Sequence, residues 1–372
     1  MIKTEKFHSA TISNAKLLDG ILGLRGIAAL AVLLYHVVHI VKIPEPEWFS
    51  FIRQGGVGVF LFFVLSAFSL MYSTERTMLR HNWVKEYLIK RFFRISPLFY
   101  TILAFMLLHA FMGGGLPNVS IVLLNLFFIF GFFFDPEIGL VMGGWTIGVE
   151  MIFYILFPIL LMIIKTQKEA FFLMIIAMLV SYSARMQLHI QYLTVTPQPK
   201  WDPSYFTFIT NLFFFTVGIY AYKVKQTIGQ SDRKFRIAVL VMTILFFLIF
   251  TLLGEILKKT GRLDLIILGF GFGGLCLWQS IKPSFWSANK LCEYLGERSY
   301  SIYLIHPLII IFTKKYSVNI YYKLEPNLGE YSFFICSMLI IGIVLIVAEV
   351  TYRSIEIPGI NMGRKIIKKM EF

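Results

Sequence analysis

Eleven apolar segments, separated by short polar loops, dominate this chain of 372 residues. A run of about 20 apolar residues is long enough to cross the hydrocarbon core of a bilayer as a helix. Hydrophobic residues make up 57% of the sequence and charged residues 15%, a balance that is unusual for soluble domains. We therefore predict an all-α, polytopic integral membrane helix bundle. The apolar windows cover residues 21–41, 55–73, 96–112, 120–134, 145–164, 170–187, 205–222, 237–254, 263–281, 299–313 and 331–351.

The positions of the basic residues indicate how many windows cross the membrane. Lysines and arginines cluster before the first window and after the last, and such clusters favour the cytoplasmic side. Two cytoplasmic termini require an even number of crossings, so one window must not span. Ile121–Phe134 is short and lies between glycine-rich loops with few basic residues, which favours a re-entrant or interfacial segment. We predict about ten transmembrane helices, with both termini in the cytoplasm.

A single membrane domain, residues 1–372, is predicted, with a cytosolic leader (1–20) and a basic cytosolic tail (359–372). The leader is polar and the run after it has full spanning length, so we expect the first helix to be retained and not cleaved. The longest polar stretches have about twenty residues, which is too few for a separate soluble domain.

Charge and cysteine content argue against several other classes. Lys and Arg outnumber Asp and Glu by 35 to 21, but they lie in short loops between apolar runs. We interpret them as topology signals and phosphate contacts, and we expect no nucleic-acid partner. Cys276, Cys292 and Cys336 are far apart and include no C-x-x-C pair, which argues against a disulfide framework or a metal site.

Arg25 and His36 lie within the first apolar window, Ile21–Val41. Ionisable groups at that depth cost several kcal/mol and usually face a bundle interior or a wet cavity, so they are functional candidates. Eleven residues at about 100° each return the second side chain to within roughly 20° of the first, about 16 Å along the axis. We therefore expect Arg25, a permanent cation, and His36, a titratable base, to lie on the same helix face, with Arg25 nearer the N-terminal end of the helix.

Arg91 and Arg94 stand three positions apart in KRFFR, at the cytosolic start of the third apolar window. Residues with this spacing share one helix face, and two guanidinium groups so placed can grip a phosphate group. The alternative is that they anchor the helix at lipid headgroups.

Polar residues also recur at helical spacing in the segment WTIGVEMIFY, which opens with Trp145. Glu150 shares a face with Thr146 one turn before it and Tyr154 one turn after it. A buried carboxylate needs a partner, so Glu150 is either a catalytic group or the structural counter-ion of Arg25 or His36.

The segment SYSIYLIHPL places Ser299, Tyr303 and His306 on one stripe of a helix. We expect these three side chains, together with Trp145 and Tyr154, to contact the substrate or to support the site. His306 is a candidate base, and a structurally satisfied histidine is the alternative. The last helix ends with four polar residues that we interpret as an ion-pair group on the inner face, namely Glu349, Tyr352, Arg353 and Glu356.

Taken together and in this order, the motifs resemble the acyltransferase-3 family of integral membrane acyltransferases. The resemblance rests on LRGIAALAVLLYH with its R-x10-H spacing, FFVLSAF, RFFR before ISPLFY, WTIGVEMIFY, SYSIYLIHPL and the tail YRSIEIP. It runs from about Leu18 to Pro358, and the ordered set is specific although no single motif is decisive. Ala67 and Thr146 stand where many members have glycine and serine, and neither difference affects the chemistry.

The resemblance implies transfer of an acyl group, usually acetyl, from a cytosolic coenzyme A thioester to a hydroxyl of a sugar or another acceptor. It implies that His36 is the catalytic histidine, that Arg25 is its partner, and that Arg91 and Arg94 contact coenzyme A. Acyl-CoA is then a donor substrate, and no permanently bound cofactor is expected. Some relatives carry an SGNH domain after the membrane part, but this sequence stops at Phe372 without a GDS motif, so we expect a stand-alone enzyme.

The chemistry of acyl transfer suits these residues. Imidazole is the side chain whose ordinary pKa is closest to neutrality, so His36 can take the proton of the acceptor hydroxyl. It could instead attack the thioester and hold the acyl group, and the sequence leaves both routes open. We expect Arg25 to hold an anionic or polar part of the donor.

Three other interpretations remain. A secondary transporter also has ten or more helices with buried charges, and Gly269–Gly274 could break a helix, although such glycines also allow close helix packing. A soluble-type acyltransferase would need an H-x4-D signature, for which His81 with Glu86 is the nearest match. A non-catalytic lipid-binding or scaffold protein would leave the pair of Arg25 and His36 unexplained.

We expect the protein in the inner or plasma membrane of the cell. Its predicted partners are the lipid bilayer, a carbohydrate or other hydroxyl acceptor, and polysaccharide assembly or export machinery. Acceptor specificity would lie in outer loops such as Gln191–Ser204 and Asn319–Glu330, whose aromatic and polar residues suit a sugar without naming one.

Overall fold

The structure is a computed structural model that describes residues 2–133, 135, 138–197, 201–228 and 232–370, with side chains from residue 19 onward. The described residues form helices and no strands, as predicted. The thirteen α-helices are α1 (Ile2–His36), α2 (Gly58–Thr74), α3 (Trp83–Met112), α4 (Val119–Leu126), α5 (Trp145–Ile163), α6 (Gln167–Thr194), α7 (Phe208–Thr227), α8 (Arg233–Lys259), α9 (Leu263–Ile281), α10 (Lys290–Glu297), α11 (Ser299–Leu328), α12 (Tyr331–Thr351) and α13 (Ile357–Met370).

Nine helical segments of the described chain are long and apolar enough to cross a membrane, which confirms the polytopic bundle. The predicted window 299–313 corresponds to α11, which is not one of the nine. This helix has 30 residues and is long enough to span, but polar and charged side chains interrupt its apolar surface. Counting α11 as a crossing helix gives the ten that the sequence predicts.

The window Ile121–Phe134 is not a spanning helix, in agreement with its predicted role. Its regular part is α4, whose eight residues extend about 12 Å. The buried amide of Asn125 then holds the chain that follows, because it donates to the Ile138 carbonyl at 2.7 Å and accepts from the Leu140 N–H at 3.0 Å. Phe134 lies outside the described residues.

The first and last spans both change helical type at a candidate functional residue. The α-helical part of the first span ends at His36 and continues as a π-helical turn, Val37–Val41. A second π-helical turn, Tyr352–Glu356, joins α12 to α13. The first span was predicted as an uninterrupted helix over 21–41, whereas the second turn lies after the last predicted window, 331–351. Such turns frequently occur at functional sites.

Glycines bring the central helices into close contact. A Cβ atom at Gly23 would strike the backbone carbonyl of Ser287, so α1 lies directly against the chain that precedes α10. In the glycine run of α9, Gly269 faces the ring of Phe213 and Gly273 faces Val217. The helix α9 is continuous, so these glycines serve close packing and do not break the helix.

Candidate active site

A cavity of about 490 Å³ lies where α1, α2, α3, α5, α11 and α13 converge. It opens toward the side that carries most of the basic loops, because α3 and α13 contribute their basic segments to its lining. The charged residues that line it are Arg25, Lys90, Arg91, Arg94, Glu150 and Arg364. Among the side chains that the structure describes, five cations therefore face a single carboxylate in the lining, which favours an anionic ligand.

Two of these cations already have a carboxylate partner. Lys90 lies 3.3 Å from the buried carboxylate of Glu86. Arg94 lies 3.0 Å from Glu356, whose side chain is fully buried and also accepts from Ser301 at 2.8 Å. The predicted inner-face ion-pair group is therefore divided, since Glu356 turns inward to Arg94.

The rest of that group stays together. Glu349 forms ion pairs with Arg298 and Arg353, and it also accepts from the hydroxyl of Tyr294 at 2.8 Å. These residues hold the beginning of α11 against the end of α12. Their role in the described structure is to join helices, and none of them lines the cavity.

The other three cations have no carboxylate within ion-pair distance in the part of the chain that the structure describes. Arg25 lies over the ring of Phe62, 5.7 Å from its centroid. Arg91 lies between the rings of Tyr87 and Tyr154, and its buried Nε has no hydrogen-bond partner. Arg364 reaches only the side-chain oxygen of Asn361, at 3.4 Å. An unpaired cation in a cavity is free to bind an anion.

The carboxylate of Glu150 is held by hydroxyl groups and not by a cation. It accepts from Ser66 at 2.5 Å and from Tyr154 through a short hydrogen bond. The spacing of Thr146, Glu150 and Tyr154 predicts a shared face, and all three line the cavity. Arg25 lines the same cavity but makes no ion pair with Glu150 among the described residues.

His36 and His306 form a pair that only the tertiary structure reveals. The Nδ1 atom of His36 lies 2.9 Å from the carbonyl oxygen of Val32 and 3.0 Å from Nε2 of His306. The Nδ1 atom of His306 lies 3.2 Å from the carbonyl of Ile302, and the ring is fully buried.

These contacts assign both neutral tautomers. A carbonyl oxygen only accepts, so each Nδ1 atom carries the hydrogen. The single Nδ1–H group of His36 is then shared between the carbonyl oxygen of Val32 and the Nε2 lone pair of His306. The remaining nitrogen of His36, Nε2, keeps its lone pair and has no partner among the described residues. This atom is the free base of the pair.

The structure does not bring Arg25 and His36 into one cavity. Neither His36 nor His306 lines it, because two rings from other helices fill the intervening space. Phe62 of α2 and Tyr303 of α11 pack with centroids 5.7 Å apart, and Tyr303 contacts His306 at the same centroid distance. Tyr303 is anchored by Thr146, which donates to its hydroxyl at 3.0 Å.

Two other predicted support residues differ in position. Ser299 lines the cavity, and its buried hydroxyl has no partner in the described structure. Trp145 does not line it and instead packs edge-on against Phe206, with centroids 5.1 Å apart. Trp145 therefore supports the start of α5 from outside the cavity.

Several polar residues of the cavity were not singled out from the sequence, among them Lys90, Arg364 and Ser66. Lys90 opens the KRFFR motif and Arg364 lies in the basic tail, and neither was named individually, whereas Ser66 is a polar residue within the apolar motif FFVLSAF. A polar residue inside an apolar run is a signal that could have indicated Ser66. No local pattern distinguishes Arg364 from Lys365 beside it.

A family model described as an acyltransferase domain matches residues 18–347. The chain belongs to the acyltransferase-3 family. This confirms the resemblance predicted from the ordered motifs. No solved structure matches the chain at a significant level.

The curated proteins that match this family member are named as O-acetyltransferases. The peptidoglycan O-acetyltransferase OatA of Listeria monocytogenes serovar 1/2a is 26% identical over 376 residues, covering 93% of this chain and 56% of OatA. A provisionally named O-acetyltransferase of Staphylococcus aureus strain COL is 25% identical over 407 residues, covering 99% of this chain and 61% of that protein. The chain thus spans less than two thirds of the length of these relatives.

Proposed function

We propose that this protein is a membrane-embedded O-acetyltransferase that moves an acyl group, by default acetyl, from acyl-CoA in the cytosol to a hydroxyl of a sugar acceptor. The observation that carries the proposal is the cavity in which five cations face one carboxylate, next to a histidine pair with a free Nε2 atom. Membership in the acyltransferase-3 family supports the reaction class.

The charge of the cavity supports a coenzyme A thioester as donor. Its phosphate groups carry about four negative charges near neutral pH, which the unpaired cations can bind. Arg91 binds the phosphates together with Arg94, whose guanidinium group keeps its ion pair with Glu356. The pantetheine arm extends past Arg25 toward His36. The distance along α1 from Arg25 to His36, about 16 Å, is within the reach of that arm.

His36 provides the base for transfer. Its Nε2 atom accepts the proton of the acceptor hydroxyl while the hydroxyl oxygen bonds to the thioester carbonyl carbon. The carbon–sulfur bond then breaks, and the thiolate takes up the proton to leave as coenzyme A. Alternatively Nε2 attacks the carbonyl first and the acyl group passes on from the ring. Both routes use the same nitrogen atom.

The ring of Phe62 must move aside for the thioester to meet His36. Phe62 and Tyr303 separate the cavity from the histidine pair in the described structure. Rotation of Phe62 about its side-chain bonds opens a path along α1, while Tyr303 remains tied to Thr146. Closing this path keeps water and protons from leaking between the two sides between turnovers.

The acceptor is proposed to be a polysaccharide of the cell envelope. OatA is named for its action on peptidoglycan, and this chain aligns with OatA over most of its own length. His36 lies toward the face opposite the basic loops, where an exported glycan would be presented. Polysaccharide assembly or export machinery is accordingly a proposed partner, and the cell membrane is the proposed location.

Comparison of envelope glycans tests this function. Glycans from wild-type cells, a deletion strain and a His36→Ala strain are compared by mass spectrometry. We expect both mutants to lose an increment of about 42 daltons, the mass of an added acetyl group. Identical glycans in all three strains would refute acetylation of an envelope sugar. Equal amounts of the His36→Ala protein in the membrane fraction serve as the control.

A further inference from the structure

The C-terminal helix α13 completes the cavity, although it lies beyond the residues that the family model matches. That match ends at residue 347, whereas Ile360 and Arg364 of α13 line the cavity. We propose that Arg364 binds the 3′-phosphate of the coenzyme A donor, an inference that rests on the proposed function. The sequence analysis treated this helix only as a basic tail.

Close packing holds Arg364 beside the phosphate-binding arginines. A Cβ atom at Gly363 would lie 2.9 Å from Cβ of Phe93, and one at Gly359 would press on Pro97. Both contacts are with α3, the helix that carries Arg91 and Arg94. Just before α13, Glu356 is tied to Arg94 by an ion pair. The helix is thus fixed against α3 over two turns, and Arg364 is placed by a rigid element.

The unpaired cations are ordered along the cavity. Arg25 is half-buried on the central helix α1, Arg91 is half-buried on α3, and Arg364 is exposed on α13 at the opening. A coenzyme A thioester presents its groups in the same order, with the acyl end leading, the diphosphate next and the 3′-phosphate last. Arg364 is the unpaired cation at the position that the last phosphate would occupy.

A guanidinium group suits this phosphate because it forms two parallel hydrogen bonds with the oxygens of a phosphate monoester. Lys90 also lines the opening, but it forms an ion pair with Glu86, which Arg80 also contacts, and its ammonium group is a point charge without the paired donors of a guanidinium group. The headgroup of an anionic lipid offers the same phosphate chemistry, and α13 is basic enough to lie at a membrane surface. The experiment therefore has to distinguish the nucleotide from the lipid.

Calorimetric titration of the full chain in phosphatidylcholine nanodiscs with coenzyme A and with 3′-dephospho-coenzyme A makes this distinction. We expect Arg364→Ala to weaken coenzyme A binding about tenfold and to leave the Kd for the dephospho compound within about twofold of wild type. Lys365→Ala is the matched control, since it removes one charge from an exposed neighbour that does not line the cavity. It should bind both compounds as the wild type does.

Two results would overturn the assignment while leaving the proposed function intact. One is equal weakening for both compounds in Arg364→Ala. The other is an effect of Arg364→Ala that occurs only when the nanodiscs contain anionic lipid, which would identify a headgroup contact. Different results would refute acyl-CoA as the donor. These are a wild-type protein that binds neither compound, or an Arg91→Glu variant with both Kd values unchanged.

Discussion

The side chain next to His36 is a second imidazole, that of His306, and not a carboxylate. In serine hydrolases a carboxylate orients the catalytic histidine and stabilises its charged form. Here the fully buried His306 offers a neutral lone pair to the Nδ1–H group of His36. A neutral partner avoids the high cost of burying a second charge. With the His36 proton on Nδ1, the lone pair of Nε2 is left for the proposed reaction.

Substitution of His306 tests this arrangement. His306→Leu removes the acceptor, and we expect kcat to fall about tenfold to a hundredfold because the protonated form of His36 loses a hydrogen bond. His306→Gln can place its side-chain oxygen near the former Nε2 position and should retain most of the activity. Both variants should bind coenzyme A with the wild-type Kd, which titration measures in parallel with turnover.

The results for these variants distinguish a role of His306 in positioning His36 from a role in packing alone. If the leucine and glutamine variants lose activity equally, the acceptor lone pair is not what matters. If coenzyme A binding and thermal stability fall together with turnover in His306→Leu, the residue is structural.

At the scale of single helices, α1 carries Arg25 and His36 and depends on glycines for its position. Gly23 and Gly26 flank Arg25 and face the chain around α10. A side chain at either position would push α1 away from this contact and shift the guanidinium group in the cavity. Small residues are a common means of close helix approach in membranes.

Gly23→Ala should therefore destabilise the protein although alanine is the better helix former. The added methyl group would strike the backbone carbonyl of Ser287, which cannot move away as a flexible side chain would. We expect a loss of about 1–3 kcal/mol, seen as a lower Tm in detergent. Gly342→Ala on α12 is the matched control, since nothing lies within 4 Å of its added Cβ atom, and its Tm should not fall. A similar Tm for both variants would contradict the close contact.

The sequence predicted where helices lie better than it predicted changes of helical type along them. The non-spanning window around α4 could be recognised because its length and its glycine-rich flanks are local properties of the sequence. The π-helical turns after His36 and before α13 could not, because the residues in VVHIV and YRSIE have no distinctive local preference. A π-helical turn depends on tertiary contacts, and the turn before α13 ends at Glu356, which is paired with Arg94 of α3.

For the whole molecule, the orientation in the membrane depends on α11. The nine apolar spans alone would place the two termini on opposite sides, and α11 as a tenth crossing returns them to the same side. The excess of basic residues near both termini favours the second arrangement. The proposed cytosolic donor requires the cavity, which is lined in part by α13 near the C-terminus, to open on the cytoplasmic side.

Cysteine labelling across α11 tests this topology. Single cysteines are placed at Phe285, before α11, and at Glu330, after it, in a protein whose native cysteines are replaced by alanine. Both positions are exposed. We expect a membrane-impermeant maleimide to label Glu330→Cys in intact cells and Phe285→Cys only after permeabilisation. Labelling of both in intact cells would show that α11 does not cross, and the reverse pattern would invert the orientation.

Family and helical membrane architecture were determined by the sequence itself, because hydropathy, charge distribution and ordered motifs are properties of neighbouring residues. The tertiary structure alone decided which cations are free and which base is available. Glu356 forms an ion pair with Arg94 across 262 positions of chain, and His306 contacts His36 from 270 positions away. Such pairings depend on how helices pack around a shared interior, and local spacing carries no information about that packing.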